Sequence, residues 1–310
     1  MKRLMCAVFA LGLITAPAHA EWEPSGPIAF WIGFGAGGGT DTQARALAEE
    51  IEARRGWRII PENKAGGGGR VMAAQLKDAP GDGLTVGLAI NTTFDFPVNE
   101  NISIDDFTYL TQTAGSQMAV LARADSGWET LEDMVEAAQS GTDIVWANWG
   151  NQVEAGAEMV ARHFGIDVNH LRGQGGRSAV NALVANDANV GWGGGVQGPL
   201  VAAGELVILA SAEPSRLVQA PDTPTLMERG IMDQGLGFQF VMVGPADMDP
   251  EAAAAITEAV HEVLNDPESR TAQFVTQQYP PGPLFMSGDE LKTQLEANRE
   301  ANVTMMEALN

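Results

Sequence analysis

The chain has 310 residues, 45% of them apolar, which is enough to bury a large core in a protein of two lobes. Forty acidic residues against 18 lysines and arginines give a net charge of −22, which argues against nucleic acid and anionic membrane surfaces as partners. Cys6 is the only cysteine, so disulfides, thiol catalysis and cysteine metal sites are excluded from the rest of the chain.

The first twenty residues have the features of a secretory signal. Lys2 and Arg3 precede a short apolar run, Leu4 to Ile14, and Ala18-His19-Ala20 matches a small-residue cleavage site. No later segment has the roughly 20 apolar residues that are needed to span a bilayer. We therefore predict a signal peptide at 1–20, cleavage near Ala20 and a periplasmic mature chain; a buried N-terminal helix is the alternative.

The mature chain begins with a strand, a glycine loop and a helix. Pro27 to Phe34 is an apolar strand candidate and leads into the loop 35–41, which reads GAGGGTD. Thr40 and Gln43 have the spacing of a capping box, which predicts Thr40 as the N-cap of the helix, and Gly56 ends it. The helix is predicted from apolar residues that recur on one face: Ala44, Leu47, Ala48 and Ile51.

The same unit recurs downstream. A short strand, Trp57 to Pro61, precedes a second glycine loop, Ala65 to Gly69, and a second helix, Val71 to Ala79. A third strand, Leu84 to Ile90, ends at Asn91-Thr92-Thr93. Alternating strands and helices predict a parallel sheet, and ligands of such sheets bind beyond the carboxyl ends of the strands, where both glycine loops lie.

The rest of the chain continues the alternation, and the strand near residue 238 is expected to return it to the first lobe. Polar or glycine-rich loops occupy 148–151, 171–176 and 190–195. We predict strands at Met118 to Ala122, Ile144 to Ala147, Leu206 to Ala210 and Phe238 to Val243. We predict helices at Thr130 to Ala138, Glu154 to Phe164, Ser178 to Ala185, Pro250 to Leu264 and Gly288 to Leu309.

Glycine loops that lead directly into helices are suited to bind anions. The first turn of a helix has N–H groups without intrahelical acceptors and carries the positive end of the helix dipole. Glycine lets the ligand approach the backbone closely. Such a loop alone could be a tight turn, but two of them at matching strand–helix junctions favour a site for a carboxylate or phosphate that needs no lysine or arginine.

Several side chains near these loops are candidates for ligand contact. Trp149 and Trp192 lie in glycine- and asparagine-rich loops and could form a wall against an apolar or ring-shaped ligand, whereas Trp146 fits a core. Arg177 follows Gly175-Gly176 and is either a ligand for a second carboxylate or a surface residue. Asp41 is either a site residue or a helix-start charge.

An NAD-dependent oxidoreductase is the enzymatic alternative. Residues 33–38 fit G-x-G-x-x-G after a strand, and Glu62 stands where a ribose-binding acid is expected. Export of the chain and the charge of Asp41 beside the pyrophosphate argue against it. The histidines lack metal-ligand spacing, and no serine lies in G-x-S-x-G, so we expect neither catalysis, nor a metal, nor a cofactor.

Taken together, several segments resemble the substrate-binding proteins of tripartite tricarboxylate transporters, the Bug family. The order and spacing of these segments carry the resemblance over nearly the whole mature chain. They are Phe34 with 37–41 (GGGTD), 62–68 (ENKAGGG), 82–85 (DGLT), Asp106-Phe107 and 221–230 (PDTPTLMERG). The chain departs from the family pattern at 148–154 (NWGNQVE), where a small Ser/Gly loop followed by histidine is usual, and Asn148 and Trp149 therefore make the distal half of the pocket unusual.

The resemblance implies an α/β, type II periplasmic-binding-protein fold, in which two mostly parallel sheets flanked by helices close on a ligand in the cleft between two lobes. We assign 21–121 with 241–310 to lobe 1 and 122–240 to lobe 2. The resemblance also implies that the loops after the first two strands hold a carboxylate and that lobe 2 recognises the rest of the ligand. The predicted site comprises Phe34, Gly35, Ala36, Gly37, Gly38, Thr40, Asp41, Ala65, Gly66, Gly67, Gly68, Asn91, Thr92, Trp149, Gly150, Asn151, Gly175, Gly176 and Trp192.

The predicted function is capture of a small carboxylate, either a di- or tricarboxylate or an aromatic acid, and its delivery to membrane permease subunits. We expect a monomer. A periplasmic sensor that presents the same ligand to a receptor kinase is a further alternative that the sequence leaves open.

Overall fold

A computed structural model of the chain describes residues 22–97 and 101–308, so the predicted signal at 1–20 lies outside the described residues. The strands β1 to β10 are Ile28–Ile32, Ile59–Asn63, Thr85–Ile90, Phe107–Gly115, Ala119–Arg123, Ile144–Asn148, Val168–Arg172, Val190–Gly193, Leu206–Ser211 and Gln239–Pro245. The helices α1 to α10 are Gly39–Arg55, Arg70–Leu76, Thr92–Asp95, Leu131–Gln139, Asn151–Phe164, Gly176–Val184, Gly198–Ala202, Pro250–Asn265, Arg270–Gln278 and Gly288–Ala308.

The first sheet has the strand order β2-β1-β3-β10-β4. β1 is parallel to β2 and β3, whereas β10 is antiparallel to both β3 and β4. Four of its five strands therefore run in one direction. Ile32 at the end of β1 pairs with Asn63 and Leu88, so the loops that follow β1 and β2 leave the sheet at the same edge.

The second sheet repeats this pattern with the order β7-β6-β8-β5-β9. Here β6 is parallel to β7 and β8, and β5 is the antiparallel strand between β8 and β9. The predicted α/β class with two mostly parallel sheets is confirmed. The predicted lobe boundaries, 121/122 and 240/241, fall inside β5 and β10; the division at those residues stays a prediction.

The chain crosses from the first sheet to the second after β4 and returns before β10. Hydrogen bonds of Glu213 and Ser116 connect these two crossing segments. The Oε1 of Glu213 accepts hydrogen bonds from Ser116 Oγ at 2.6 Å and from the Met118 N–H at 2.7 Å. The Ser116 Oγ in turn accepts from the Phe238 N–H at 2.8 Å. Burial holds the pKa of Glu213 above its usual value, although the hydrogen bonds from Ser116 and Met118 lower it. Strand β10 then joins the first sheet, as predicted for the return of the chain.

Helix α1 confirms the predicted apolar face and C-terminal end but not the predicted N-cap. Its predicted apolar face is buried, with exposures of 0–3% at Ala44, Leu47, Ala48 and Ile51, and Gly56 ends it in the left-handed conformation at φ 73°. The predicted N-cap is wrong, because the helix begins two residues earlier with Gly38 as its cap. Thr40 lies buried in the first turn, and Gln43 accepts a hydrogen bond from Thr113 Oγ1 at 2.8 Å instead of capping the helix.

Six of the described strands and helices have no counterpart in the sequence prediction: β4, β7, β8, α3, α7 and α9. Of these, β8 takes up residues that were predicted to be a glycine-rich loop. β2 begins two residues later than predicted, at Ile59, and α5 begins three residues earlier, at Asn151. Among residues 22–97 and 101–308, no helix combines the length and apolar character that a bilayer crossing requires.

Candidate functional site

A cavity of about 180 Å³ lies between the two sheets, at the loops that follow their parallel strands. Residues from both lobes line it, and no aspartate or glutamate is among those described. They are Phe34, Gly35, Ala36, Gly38, Gly39, Thr40, Ile90, Trp149, Gln174, Gly175, Gly176, Arg177, Ser178, Asn181, Gly194, Val196, Phe238, Phe240 and Tyr279. The cavity thus brings together eight of the predicted residues: Phe34, Gly35, Ala36, Gly38, Thr40, Trp149, Gly175 and Gly176.

The N-terminus of α1 forms one side of this cavity. Its N-cap, Gly38, provides no side-chain hydrogen bond, and the first intrahelical bond runs from the Thr42 N–H to the Gly38 carbonyl at 2.9 Å. The N–H groups of Gly39 and Thr40, which line the cavity, therefore have no acceptor within the helix. Together with the helix dipole they favour an anion at this position.

The N-terminus of α6 lies on the opposite side. Its N-cap, Gly175, also provides no side-chain hydrogen bond, and its first turn holds no acidic residue. Ser178 stabilises the preceding loop, since its Oγ donates to the Gly175 carbonyl at 2.6 Å and accepts from the Gln174 N–H at 2.9 Å. Gly176 and Arg177, in the first turn of α6, line the cavity, so a second helix terminus favours an anion in the same space.

Asp41 stabilises the first glycine loop by hydrogen bonds, although it does not itself line the cavity. Its Oδ2 accepts from the Gly37 N–H at 2.9 Å, and its Oδ1 accepts from Arg45 Nε and Asn63 Nδ2, both at 2.8 Å. The side chain is buried and does not line the cavity. Protein donors occupy both carboxylate oxygens, which makes Asp41 a positioning residue for the loop.

The lobes touch directly beside the cavity. The Gly35 N–H donates to the Gln174 carbonyl at 3.0 Å, and Arg177 Nε donates to the Gly37 carbonyl at 3.0 Å. At Gly175, with φ 146°, an added Cβ would lie 3.4 Å from the Phe34 ring. These contacts close the first glycine loop against the start of α6.

Aromatic rings form much of the remaining wall: Phe34, Trp149, Phe238, Phe240 and Tyr279. Phe240 lies edge-on between Phe238 and Tyr279, with ring centroids 5.2 and 5.0 Å away. Trp149 is 5% exposed, and its ring lies 3.9 Å from the place a Cβ on Gly176 would take. The wall can therefore contact a flat, apolar body from several sides.

Tyr279 was not predicted, and it brings a polar atom into this aromatic wall. The residue is 1% exposed, and a Cβ on Gly39 would overlap its hydroxyl. Among the described residues that hydroxyl has no hydrogen-bond partner. Burial raises the pKa of the Tyr279 hydroxyl above its usual value, against a smaller lowering by Arg177, so the group is a neutral donor at physiological pH.

A second, smaller cavity adjoins the first and shares Ile90, Trp149 and Phe238 with it. Here the second glycine loop meets the start of α5, and a Cβ on Gly68 would lie 3.6 Å from the Gly150 Cα. Arg70 lines this cavity, and its Nη2 donates to the Phe96 carbonyl at 2.8 Å. The predicted site residues that line it are Gly68, Thr92, Trp149, Gly150 and Asn151.

Six further predicted residues besides Asp41 line neither cavity: Gly37, Ala65, Gly66, Gly67, Asn91 and Trp192. Trp192 is fully buried, because β8 turns it onto Trp146, with ring centroids 5.2 Å apart, and its Nε1 donates to Asn148 Oδ1 at 3.0 Å. Asn91 accepts from the Gln239 N–H and donates to Asp95, both at 2.8 Å. These side chains stabilise the loops that present the site.

Side chains with metal-ligating groups do not converge in the described part of the chain: no three His, Cys, Asp or Glu residues there are placed to hold an ion. Glu62, the candidate ribose ligand, is exposed, and its Oε1 accepts from Lys64 Nζ at 3.0 Å. His170 Nε2 lies 2.7 Å from Glu158, away from both cavities. The lining described above therefore defines the candidate site.

Comparison with known proteins identifies the family to which the chain belongs and the fold that it shares. A family model described as "Tripartite tricarboxylate transporter family receptor" matches residues 43–280. "UPF0065 protein in gbd 5'region" of Cupriavidus necator is 27% identical over 277 residues, which cover 86% of this chain and 84% of that protein.

Two solved structures superpose closely on the fold. The periplasmic binding protein BugD does so with a TM-score of 0.82 at 21% identity, over 93% of this chain and 98% of that one. MatC from Rhodopseudomonas palustris with bound malate does so with a TM-score of 0.78 at 23% identity, over 93% and 99% of the two chains. The expected two-lobe periplasmic-binding-protein fold is confirmed.

Proposed function

The chain belongs to the family of tripartite tricarboxylate transporter receptors, and on that premise we propose that it captures a small carboxylate in the cavity between its lobes. One observation carries the proposal. Helices α1 and α6, from opposite lobes, both begin without a side-chain cap at a single cavity whose described lining holds no carboxylate. MatC, which shares the fold, is described with bound malate, and this supports a carboxylate as the anion.

Backbone donors at these two termini are sufficient for useful affinity. Charge-assisted hydrogen bonds contribute about 1.5–3 kcal/mol each, and micromolar binding corresponds to about 8 kcal/mol. About four or five such bonds provide this before the cost of ordering the loops is subtracted. The net charge of −22 opposes binding only weakly, because salt screens charges over about 8 Å.

Binding is proposed to couple to closure of the lobes. An anion at both termini contacts α1 and α6 at once, and it therefore favours the arrangement in which Gly35 bonds to Gln174 and Arg177 bonds to Gly37. Closure removes water from the cavity and strengthens the charge-assisted bonds. The closed form is the one we propose to be presented to membrane permease subunits.

The site is proposed to bind without reaction. The described lining contains no histidine, cysteine or acidic side chain, and the hydroxyl of Ser178 already bonds to its own loop. A nucleophile–base pair is therefore absent from these residues. We propose a monomer that is exported to the periplasm, in keeping with the signal features at 1–20.

Thermal unfolding of the purified mature chain with a panel of acids tests the proposal. The panel contains malate, adipate, citrate and benzoate, with NADH as the control for the oxidoreductase alternative. An acid present at 100 times its Kd is expected to stabilise the fold by about 2.7 kcal/mol, while NADH leaves the Tm unchanged. Stabilisation by NADH alone, or by no member of the panel, contradicts the proposal.

A further inference from the structure

Two crossing segments form the hinge between the lobes. The outgoing segment, 116–118, leads from β4 to β5, and the returning segment, 212–238, leads from β9 to β10. The main-chain pairing of β4 with β10 ends at Gly115. Just beyond it, the Phe238 N–H donates to the hydroxyl of Ser116 at 2.8 Å. A side-chain hydrogen bond therefore continues the connection where the main-chain pairing stops.

Glu213 fixes the orientation of that hydroxyl. Its Oε1 accepts hydrogen bonds from Ser116 Oγ at 2.6 Å and from the Met118 N–H at 2.7 Å. Because the hydroxyl of Ser116 donates to the carboxylate, its oxygen lone pairs are left to accept from the Phe238 N–H. Hydrogen bonds to an ionised group are also stronger than those between neutral groups. One carboxylate thus connects both segments of the hinge.

This carboxylate has no cationic partner among the described residues. The next cationic side chain along the chain is that of Arg216, whose Nε pairs with Glu228 at 3.0 Å. The second oxygen of Glu213, Oε2, accepts no hydrogen bond from the described residues, and a Cβ added to Gly237 would overlap it. A largely buried carboxylate without a counter-ion is costly for the stability of the fold, which points to a role in function.

Phe238 connects the hinge to the ligand cavity. Its N–H belongs to the bond with Ser116, and the residue lines the cavity between the lobes. Its ring lies edge-on to that of Phe240, with centroids 5.2 Å apart. A Cβ on Gly194, after β8 of the second sheet, would lie 2.9 Å from the Phe238 ring. The position of Phe238 therefore depends on the hinge and affects cavity walls from both lobes.

From this arrangement we infer that Glu213 is a positioning residue of the hinge, whose carboxylate holds Ser116 and Phe238 in the arrangement of the closed lobes. The inference rests on the proposed function, because it concerns the regulation of the same site. The apparent Kd of a ligand that binds only the closed form equals its intrinsic Kd divided by the closed fraction. Loosening the hinge therefore weakens binding although the helix termini at the cavity are unchanged.

Calorimetric titration of hinge variants tests the inference, with whichever of malate, adipate, citrate and benzoate binds the wild type most tightly. Glu213→Ala and Ser116→Ala are each expected to raise the Kd about tenfold. The double variant is expected to match the larger single effect, because both changes break one network. Glu213→Gln is expected to stay within about threefold of the wild type, since its amide oxygen can accept the same two hydrogen bonds. A merely structural role would lower the Tm and leave the Kd unchanged.

Two glycine variants disturb or spare Glu213 without altering it. In Gly237→Ala the added methyl group would displace Oε2, and the Kd is expected to rise about tenfold. Gly115→Ala is the control at the same hinge, because the nearest atom there is Leu284 Cδ1 at 3.8 Å, and it is expected to keep the Kd of the wild type. A wild-type Kd in Glu213→Ala, or equal losses in the two glycine variants, overturns the inference.

Small-angle X-ray scattering of the ligand-free proteins separates failure of this inference from failure of the proposed function. The radius of gyration is expected to be larger in Glu213→Ala than in the wild type and to be restored in Glu213→Gln. If none of the four acids binds the wild type, the proposed function fails and the scattering alone decides the role of Glu213. Equal radii in Glu213→Ala and the wild type then overturn it.

Discussion

Arg177 Nε donates to the carbonyl oxygen of Gly37 at 3.0 Å, which joins the start of α6 to the loop before α1 across the cleft. Arg177 also lines the cavity in which we propose that the anion binds. Under that proposal one residue contributes both to closure of the lobes and to recognition of the ligand.

Arg177→Gln is expected to weaken acid binding about tenfold, because it removes a charged donor at the anion and the hydrogen bond to Gly37. Calorimetry of the variant gives the change in Kd. The matched control is Arg172→Gln, in the strand just before: Arg172 is largely exposed and pairs with Glu154 at 2.7 Å. Equal losses in the two variants, or none in Arg177→Gln, would contradict the assigned role.

Gly39→Ala is expected to weaken acid binding at least about tenfold and to lower the stability of the ligand-free protein by about 1–3 kcal/mol. The added methyl group would overlap the Tyr279 hydroxyl and lie 3.2 Å from the Phe240 ring, so these two side chains would have to shift. Calorimetry and urea unfolding measure the two effects. Gly26→Ala is the control, since the nearest atom there is 4.0 Å away, and it is expected to change neither quantity.

The parts of the site that follow from local sequence could be predicted. A glycine loop between a strand and a helix dictates its own backbone geometry, and the chain places Phe34, Gly38 and Gly175 at the cavity. The boundary of α1 was less predictable. The spacing of Thr40 and Gln43 matches a capping box, but Gln43 points instead into the core beside Thr113.

The parts that depend on distant pairing could not be predicted. Tyr279 and Phe240 reach the cavity only because β10 returns to the first sheet beside β3, more than 140 residues after it in the chain. Trp192 was expected in the pocket, but the side-chain alternation of β8 turns it onto Trp146. Strand β4 was missed because its threonines and glutamine suggest exposure, yet most of its residues are buried.

Asp41→Asn is expected to weaken acid binding about tenfold and to lower stability by about 1–3 kcal/mol, because it removes the negative charge beside Arg45 and leaves one acceptor oxygen in place of the two that serve Gly37, Arg45 and Asn63. The sign of the affinity change is informative. If Asp41 acted only by repelling the ligand, its neutralisation would tighten binding.

The control for this variant is Glu52→Gln, which removes an exposed negative charge from the same helix. It is expected to leave affinity and stability within experimental error of the wild type. Tighter binding in Asp41→Asn would contradict the positioning role and support simple repulsion.

Asp95 gives the protein a stability that depends on pH. The residue is fully buried, and its carboxylate accepts hydrogen bonds from the side-chain amides of Asn91, Asn298 and Asn302 at 2.8–3.2 Å. Burial raises the pKa of Asp95 from its usual 3.8 to about 6, although the amides of Asn91 and Asn298 and the charges of Arg70 and Arg299 lower it. Protons thus bind more tightly to the folded state than to the unfolded chain.

The contribution of Asp95 to stability is therefore fully present below about pH 4 and is lost as the pH rises through about 6. A shift of this size corresponds to at most about 3 kcal/mol. In Asp95→Asn the group no longer titrates. The difference in unfolding free energy between wild type and this variant should then fall by about 1–3 kcal/mol between pH 4 and pH 7.

Urea unfolding at pH 4, 5, 6 and 7 measures this difference directly, and comparison of the two proteins cancels the titration of all other groups that they share. Asp247→Asn, at an exposed position, is the control and is expected to keep the pH dependence of the wild type. A constant difference between wild type and Asp95→Asn across this range would show that Asp95 is already ionised in the fold at pH 4. The three asparagine amides, with Arg70 and Arg299, would then outweigh burial.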